Sequence, residues 1–111
     1  MHLSPGSEPL SGAFRVVRED AGPVLQLSGD VDEPLVRRMR ADGLDERELV
    51  AVEVAAVGYI DSTGLSLLVR WAHSAARHGR PAVLRSASPR FRKVLDLAGI
   101  SVLFALDDGH P

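Results

Sequence analysis

The fold of this 111-residue chain is decided by residues 49–65, which read LVAVEVAAVGYIDSTGL. Residues 49–57 are almost continuously apolar and rich in β-branched side chains, which is typical of a strand buried on both faces of a sheet. Ile60 closes this strand, and Asp61 is a residue type that caps helices. The helix predicted after it has apolar residues at regular helical spacing, namely Leu65, Leu68, Val69, Ala72 and Ala76. A buried strand therefore leads through a polar turn into an amphipathic helix.

The residues before this stretch predict a hairpin followed by a helix. Two short β-rich runs flank a turn signal at residues 20–23, and the second run ends at Gly29. Asp30 and Asp32 are N-cap candidates for the helix, and Gly43 is predicted to end it. The apolar stripe of this helix consists of Leu35, Val36 and Met39.

The residues after the stretch repeat the strand and helix alternation. Pro81 opens a short strand at residues 82–84, Ser88 is the predicted N-cap of a helix that ends at Gly99, and residues 100–106 form a last apolar run. The order of elements is β-β-α-β-α-β-α-β. It predicts a single α/β domain with a mixed, mostly parallel sheet that begins as an antiparallel hairpin and is packed with helices.

This topology brings together polar residues that are distant in the sequence. The strands ending at Gly29 and Ile60 are predicted to be parallel, so their carboxyl ends lie at the same edge of the sheet. Ligand and partner sites in open α/β sheets gather at such edges. We therefore expect Asp30 and Asp32 to lie near Asp61 and the two hydroxyl residues that follow it.

Length and composition limit the function classes. We expect a flexible leader at residues 1–12, one domain at residues 13–107 and a short tail at residues 108–111. The absence of cysteine excludes disulfides, thiolate metal sites and a cysteine nucleophile. No apolar run is long enough to span a bilayer, and the first residues lack the features of a secretory signal. These features predict a cytoplasmic protein without membrane insertion.

The small net charge of −2 conceals an uneven distribution of charge. Residues 1–61 carry 6 basic and 12 acidic side chains, whereas residues 62–95 carry 7 basic side chains and no acidic ones. Either arginine simply solubilises the later helices, or a basic surface faces an acidic partner or a phosphate. The overall balance argues against direct binding of nucleic acid.

The turn at Asp61, Ser62, Thr63 and Gly64 has two interpretations. In the first it is only a helix cap, since these residue types are favoured at helix starts. In the second a hydroxyl is phosphorylated there, because the positive end of the helix tolerates the phosphate while the added charge repels a docked partner. Gly64 is expected to permit a close approach of another backbone.

The residues of this turn also carry a resemblance to a known family. Residues 57–65, VGYIDSTGL, resemble the signature of STAS domains and in particular of bacterial anti-sigma factor antagonists. Residues 29–32 are similar to the family's Gly-acidic-hydrophobic-Asp turn, and the resemblance extends over residues 14–106. It includes Gly79 and the segment at residues 95–100. The fold that the family implies is the one predicted above from the order of elements.

The resemblance implies a phosphorylation switch rather than an enzyme. In such proteins the unphosphorylated antagonist binds an anti-sigma factor that is also a serine kinase, and so releases a sigma factor for transcription. Ser62 corresponds to the phosphorylated residue, Thr63 is the second candidate, and a PP2C-type phosphatase resets the switch. The alternative is a non-switching STAS subunit of a lipid-transport (ABC) complex or of a stress-signalling scaffold.

Other residues complete the expected site. Asp30, Asp32, Asp61, Ser62, Thr63 and Gly64 are predicted to bind the partner. Leu67 and Trp71, with Ser74, either extend this docking face or, in the case of Trp71, pack at the edge of the core. His73 and His78 are five residues apart and do not share a helix face, so we expect neither a metal site nor a cofactor. No histidine is placed as a base for Ser62, and no catalytic residue is expected.

Overall fold

The order of strands and helices agrees with the prediction in the computed structural model, which describes residues 11–108. The strands are β1 (Ala13–Glu19), β2 (Gly22–Val31), β3 (Ala51–Ile60), β4 (Val83–Arg85) and β5 (Ala105–Asp107). The helices are α1 (Glu33–Ala41), α2 (Ser62–Arg77) and α3 (Pro89–Leu97), with short 3-10 turns at Glu46–Glu48 and Ser101–Leu103. Most of the predicted leader and tail lies outside the described residues. Gly12 is described, and it is buried against the Asp30 carbonyl, where a Cβ would lie at 1.9 Å.

The five strands form one sheet in sequence order, β1-β2-β3-β4-β5. The first pair is antiparallel and the other three pairs are parallel, as predicted. Because every parallel crossover moves in the same direction and such crossovers are right-handed, the helices fall on one face of the sheet. One apolar core includes alternate strand residues such as Leu25, Val52 and Leu84 together with residues from all three helices.

The other face of the sheet carries a row of polar residues next to an apolar row that includes Val24 and Ala51. Gln26, Glu53, Arg85 and Asp107 occupy neighbouring register positions on β2 to β5. The Nη1 of Arg85 lies 2.9 Å from Oε2 of Glu19 and donates a hydrogen bond to it. This bond lowers the pKa of the Glu19 carboxyl and raises the pKa of Arg85. The charges of β1 and β4 therefore meet across the sheet.

The predicted helix caps are present. The side chains of Asp32, Asp61 and Ser88 accept hydrogen bonds from the backbone N–H of Leu35 (3.2 Å), Gly64 (3.0 Å) and Phe91 (3.0 Å). Each cap satisfies an amide that has no partner within the helix. After α3 the chain turns at Gly99, whose φ of 73° favours glycine.

The prediction that residues 49–57 form a strand buried on both faces is only partly correct. Ala51, Val52 and Val54 are buried, whereas Glu53 and Val57 are half-buried. Ala55, Ala56, Gly58 and Tyr59 are exposed, and 56% of Tyr59 is accessible. The reason is the length of β4, which pairs only with residues 51–53 of β3 and leaves the sheet at Ser86. Beyond that point β3 has a neighbouring strand on one side only.

The predicted apolar face of α2 is displaced around the helix. The buried residues are Gly64, Leu67, Leu68, Trp71, Ala72, Ser74 and Ala75. Leu65 and Val69 are only half-buried, and Ala76 is exposed. Trp71 determines this orientation through two contacts. Its indole Nε1 donates a hydrogen bond to the carbonyl oxygen of Leu49 at 3.1 Å, and its ring stacks on that of Phe104 with the ring centroids 6.2 Å apart. The last apolar run is likewise only partly a strand, since a 3-10 turn precedes β5 and leaves Val102 86% exposed.

Candidate functional site

The carboxyl ends of β2 and β3 meet at one edge of the sheet, as the topology predicts. The backbone N–H of Asp61 donates to the carbonyl of Val31 at 3.1 Å, and Asp30 is paired in register with Tyr59. Asp32 and Asp61 then begin α1 and α2 from this edge. The predicted proximity of these three residues thus agrees with the backbone geometry at this edge.

The two hydroxyl residues of the turn differ in accessibility. Ser62 is the first residue of α2 and is exposed, whereas Thr63 is half-buried. Asp61 holds the turn in place through the hydrogen bond from Gly64 N to its Oδ1. An exposed hydroxyl at a helix N-terminus is positioned to accept a phosphate, which the positive end of the helix stabilises by ~0.3–1 kcal/mol.

Gly64 serves the packing of the chain itself. It is buried, and a Cβ there would lie 2.6 Å from the Val31 carbonyl oxygen and 2.7 Å from Cγ1 of Ile60. The expected close approach of a backbone is thus confirmed, but that backbone is β2. The prediction that Gly64 contacts a partner is wrong, because its position is already covered.

Leu67, Trp71 and Ser74 do not form a docking face. They are 4%, 1% and 3% exposed, respectively, and they pack in the core under α2. The alternative that Trp71 packs in the core is the correct one. Trp71 lies about 100° around the helix from the centre of the predicted apolar stripe, and α2 is rotated so that Trp71 faces the core. Burying its large ring gives more hydrophobic free energy than burying the methyl group of Ala76.

The surface beside Ser62 is formed instead by residues that the sequence pattern assigned to the core. A groove of about 470 Å³ is lined by Leu65, Val69 and Arg70 of α2 and by Ala98 and Ile100 after α3, together with Ser62 and Ser66. Leu65, Val69 and Ile100 are half-buried. No sequence signal indicates this groove, because α2 and the end of α3 meet only in the tertiary structure.

The charges around the site are partly paired within the chain. Arg70, at the border of the groove, lies 3.5 Å from Oε1 of Glu46, and Arg92 on α3 pairs with Asp108. With the Arg85–Glu19 pair, these contacts join three of the seven basic residues of the segment 62–95 to acidic residues before and after it. Arg70, Arg85 and Arg92 are therefore paired within the chain, and the turn at Ser62 begins at the same sheet edge as Asp32.

Within residues 11–108, no group of three or more histidine, aspartate or glutamate side chains is arranged to hold a metal ion. No helix in the same range has the length and apolar character needed to cross a membrane.

Comparison with known proteins places this fold and turn in a family. The family model described as "Mlab, STAS domain" matches residues 14–105. The chain therefore belongs to the STAS domain family. No curated protein matches it at a significant level.

Several solved structures share the fold. An anti-sigma factor antagonist from Mycobacterium paratuberculosis superposes with a TM-score of 0.71 at 21% identity, covering 90% of this chain and 88% of the other. The anti-sigma factor antagonist SpoIIAA in its unphosphorylated form superposes with a TM-score of 0.67 at 19% identity, covering 87% of this chain and 90% of the other. The Bacillus cell fate determinant SpoIIAA in the phosphorylated form superposes with a TM-score of 0.63 at 19% identity, covering 87% of this chain and 93% of the other. At these identities the likeness establishes the shared fold.

Proposed function

We propose that this protein is an anti-sigma factor antagonist, a non-enzymatic binding module switched by phosphorylation of Ser62. The observation that carries the proposal is the exposed Ser62 hydroxyl, which follows the Asp61 cap and borders an apolar groove. Family membership and the fold shared with the anti-sigma factor antagonists described above support it.

In the unphosphorylated form, the anti-sigma factor docks on the Ser62 turn and buries Leu65 and Val69 of the groove. Binding at this surface removes the anti-sigma factor from its sigma factor, and transcription by that sigma factor follows. Apolar side chains at the centre of an interface and charged residues at its rim are the usual arrangement of a stable protein contact. Asp30 and Asp32 form the acidic rim, and Arg70 borders the groove.

Phosphorylation reverses this binding by electrostatics. The Ser62 oxygen attacks the γ-phosphorus of ATP held by the partner kinase, ADP leaves and the hydroxyl proton is released. The phosphate adds about −1.5 to −2 charges beside Asp30, Asp32 and Asp61. The N-terminus of α2 tolerates the new charge, so the helix stays folded while the partner surface is repelled. A PP2C-type phosphatase restores the hydroxyl.

Intact-mass analysis after incubation with the cognate kinase, ATP and Mg²⁺ tests the switch. We expect one added phosphoryl group, about 80 Da, on the wild type and none on Ser62→Ala. Thr63→Ala retains the shift because Thr63 is half-buried. Ser66→Ala is the matched control, since Ser66 is an exposed serine of the same helix and groove. A shift that persists in Ser62→Ala contradicts the assignment of Ser62.

Binding measurements distinguish the switch from a constitutive scaffold, which is the rival function. Ser62→Asp is expected to weaken binding of the anti-sigma factor at least tenfold, whereas Ser62→Asn, which has the same shape without the charge, weakens it less. Equal affinity of Ser62→Asp and the wild type would indicate a non-switching subunit of a transport or signalling complex.

A further inference from the structure

The carboxyl half of β3 has an unpaired edge. The ladder with β4 covers only residues 51–53, so from Val54 to Ile60 the backbone groups on that side have no neighbouring strand within residues 11–108. The segment reads VAAVGYI and contains no charged residue and no proline. Proteins usually protect such edges with lysine, proline or a covering loop, because a free edge pairs with other chains.

A groove lies directly along this edge. Its volume is about 460 Å³, which falls within the ~300–1,000 Å³ range of binding pockets. One wall is β3, with Val57 and Tyr59, and the other is α3, with Phe91 and Val94. The free backbone edge and the apolar wall face the same space, so an extended chain lying here would find hydrogen-bonding groups and a pocket for alternate side chains.

The charge of the groove selects the kind of chain that fits it. Arg90 lines the groove, is exposed and forms no ion pair with any residue between 11 and 108. The N-terminus of the nine-residue helix α3 opens on the same side, next to its cap Ser88. Both features favour a negative group, the helix terminus through its dipole and Arg90 through its full charge.

We propose that this edge binds an extended acidic-apolar segment of a partner protein by strand addition to β3. Main-chain hydrogen bonds to residues 54–60 hold the segment, an apolar side chain enters between Val57 and Phe91, and a carboxylate pairs with Arg90. This site is separate from the Ser62 groove, because no residue lines both grooves. Its occupation is therefore independent of phosphorylation at Ser62.

A defined peptide tests the proposal with the full-length chain. The probe is an eight-residue, fluorescein-labelled peptide of alternating valine and threonine with one central glutamate and blocked ends. Fluorescence anisotropy measures its affinity, and ¹⁵N-resolved amide shifts locate it. We expect saturable binding with shifts concentrated at residues 54–60 and 88–94. The same peptide with lysine for glutamate, or with alternate amide nitrogens methylated, is expected to bind at least about threefold more weakly, because it loses the charge contact or the ladder hydrogen bonds.

Variants of the chain test which residues hold the peptide. Gly58→Lys places a lysine on the edge, where a Cβ meets no atom within 4 Å, so we expect unchanged thermal stability and loss of peptide binding. Arg90→Glu is expected to weaken the glutamate peptide about three- to tenfold and to strengthen the lysine peptide. Lys93→Glu is the matched control, an equal charge change on an exposed residue of α3 outside the groove.

The proposal would be overturned by no saturable binding, by shifts centred on Ser62 and Val69 instead of β3, or by equal affinity of Arg90→Glu for both peptides. A dimer of the free chain that Gly58→Lys dissociates would also overturn it, since a second copy would then occupy the edge. Ser62→Asp is expected to bind the peptide like the wild type. The failure of the Ser62 switch and the failure of the edge site are therefore distinguishable.

Discussion

At the scale of single residues, the turn after β3 divides three tasks among neighbours. Asp61 caps α2, Ser62 faces solvent, and Gly64 lets the helix sit against β2. The polar residues of the turn therefore serve both the fold and the proposed switch, and variants can separate the two roles.

Removal of the Asp61 cap is expected to cost stability. Asp61→Ala leaves the Gly64 amide without its acceptor and lowers the free energy of unfolding by about 1 kcal/mol. Asp61→Asn keeps a side-chain oxygen at the same place and is expected to lose less. Urea unfolding followed by the fluorescence of Trp71 measures both. Equal losses in the two variants would show that the hydrogen bond does not stabilise the helix.

The space at Gly64 predicts a larger effect. Gly64→Ala places a Cβ 2.6 Å from the Val31 carbonyl oxygen, which is backbone and cannot move aside. We expect a loss of about 1–3 kcal/mol, as for overpacked cores. Gly58→Ala is the control, because its Cβ meets no atom within 4 Å. Urea unfolding compares the two, and a destabilisation at Gly58 equal to that at Gly64 would contradict this explanation.

At the scale of elements, the lengths and orientations of the strands and helices decide which surfaces are free. β4 is three residues long, so the second half of β3 lies at an unpaired edge. α2 is turned toward Trp71, so Leu65 and Val69 border the groove instead of filling the core. Both free surfaces result from contacts between elements rather than from the pattern within one element.

The orientation of α2 predicts a difference between two leucines two residues apart. Leu67→Ala removes a side chain that is 4% exposed, and we expect a loss of about 2–5 kcal/mol. Leu65→Ala truncates a half-buried side chain of the groove and is expected to cost less than half as much stability, while weakening binding of the anti-sigma factor. Chemical unfolding and binding titrations of both variants check this. A larger stability loss in Leu65→Ala than in Leu67→Ala would indicate that the apolar face of α2 predicted from the sequence is the buried one.

At the scale of the whole molecule, charges that are separated in the sequence meet in the fold. The acidic first part and the basic second part are joined by the pairs Glu19–Arg85 and Glu46–Arg70. The Glu19–Arg85 pair thus links two strands that are distant in the chain. At the turn itself, Asp61 precedes Ser62, and its amide bonds to Val31, the residue between Asp30 and Asp32.

The pair between β1 and β4 predicts a pH dependence of stability. The Arg85 guanidinium lowers the pKa of Glu19 below its ordinary value of 4.5. The stabilisation from this pair is therefore fully present above pH 4.5, the unfolded value, and is lost as the pH falls through the lower folded value. We expect the melting temperature of the wild type to fall more steeply on acidification than that of Glu19→Gln.

Thermal unfolding monitored by circular dichroism at a series of pH values measures this difference. Asp20→Asn is the matched control, since Asp20 is an exposed neighbour of Glu19 and forms no ion pair with the other residues between 11 and 108. If the melting temperatures of Glu19→Gln and the wild type change with pH in parallel, the Glu19–Arg85 pair does not stabilise the fold.

The sequence by itself determined the order of elements, the capping residues and the meeting of Asp30, Asp32, Asp61 and Ser62 at one edge. These features follow from local rules, namely the period of apolar residues, the preferences of N-caps and the direction of parallel strands. The resemblance at residues 57–65 predicted the STAS family, and the match of the family model to residues 14–105 establishes it. The role of Ser62 stays a prediction until it is tested with the kinase.

Only the tertiary structure decided which apolar side chains are surface and which are core. Trp71 and Leu67 are buried, Leu65 borders a groove, and the end of β3 is open because β4 is short. A helix with apolar residues over a wide arc can be buried in more than one rotation, and the partner elements choose between them. The length of a neighbouring strand is likewise absent from the pattern of β3. Burial is a property of contacts between distant segments, and the periodicity of a single segment does not contain it.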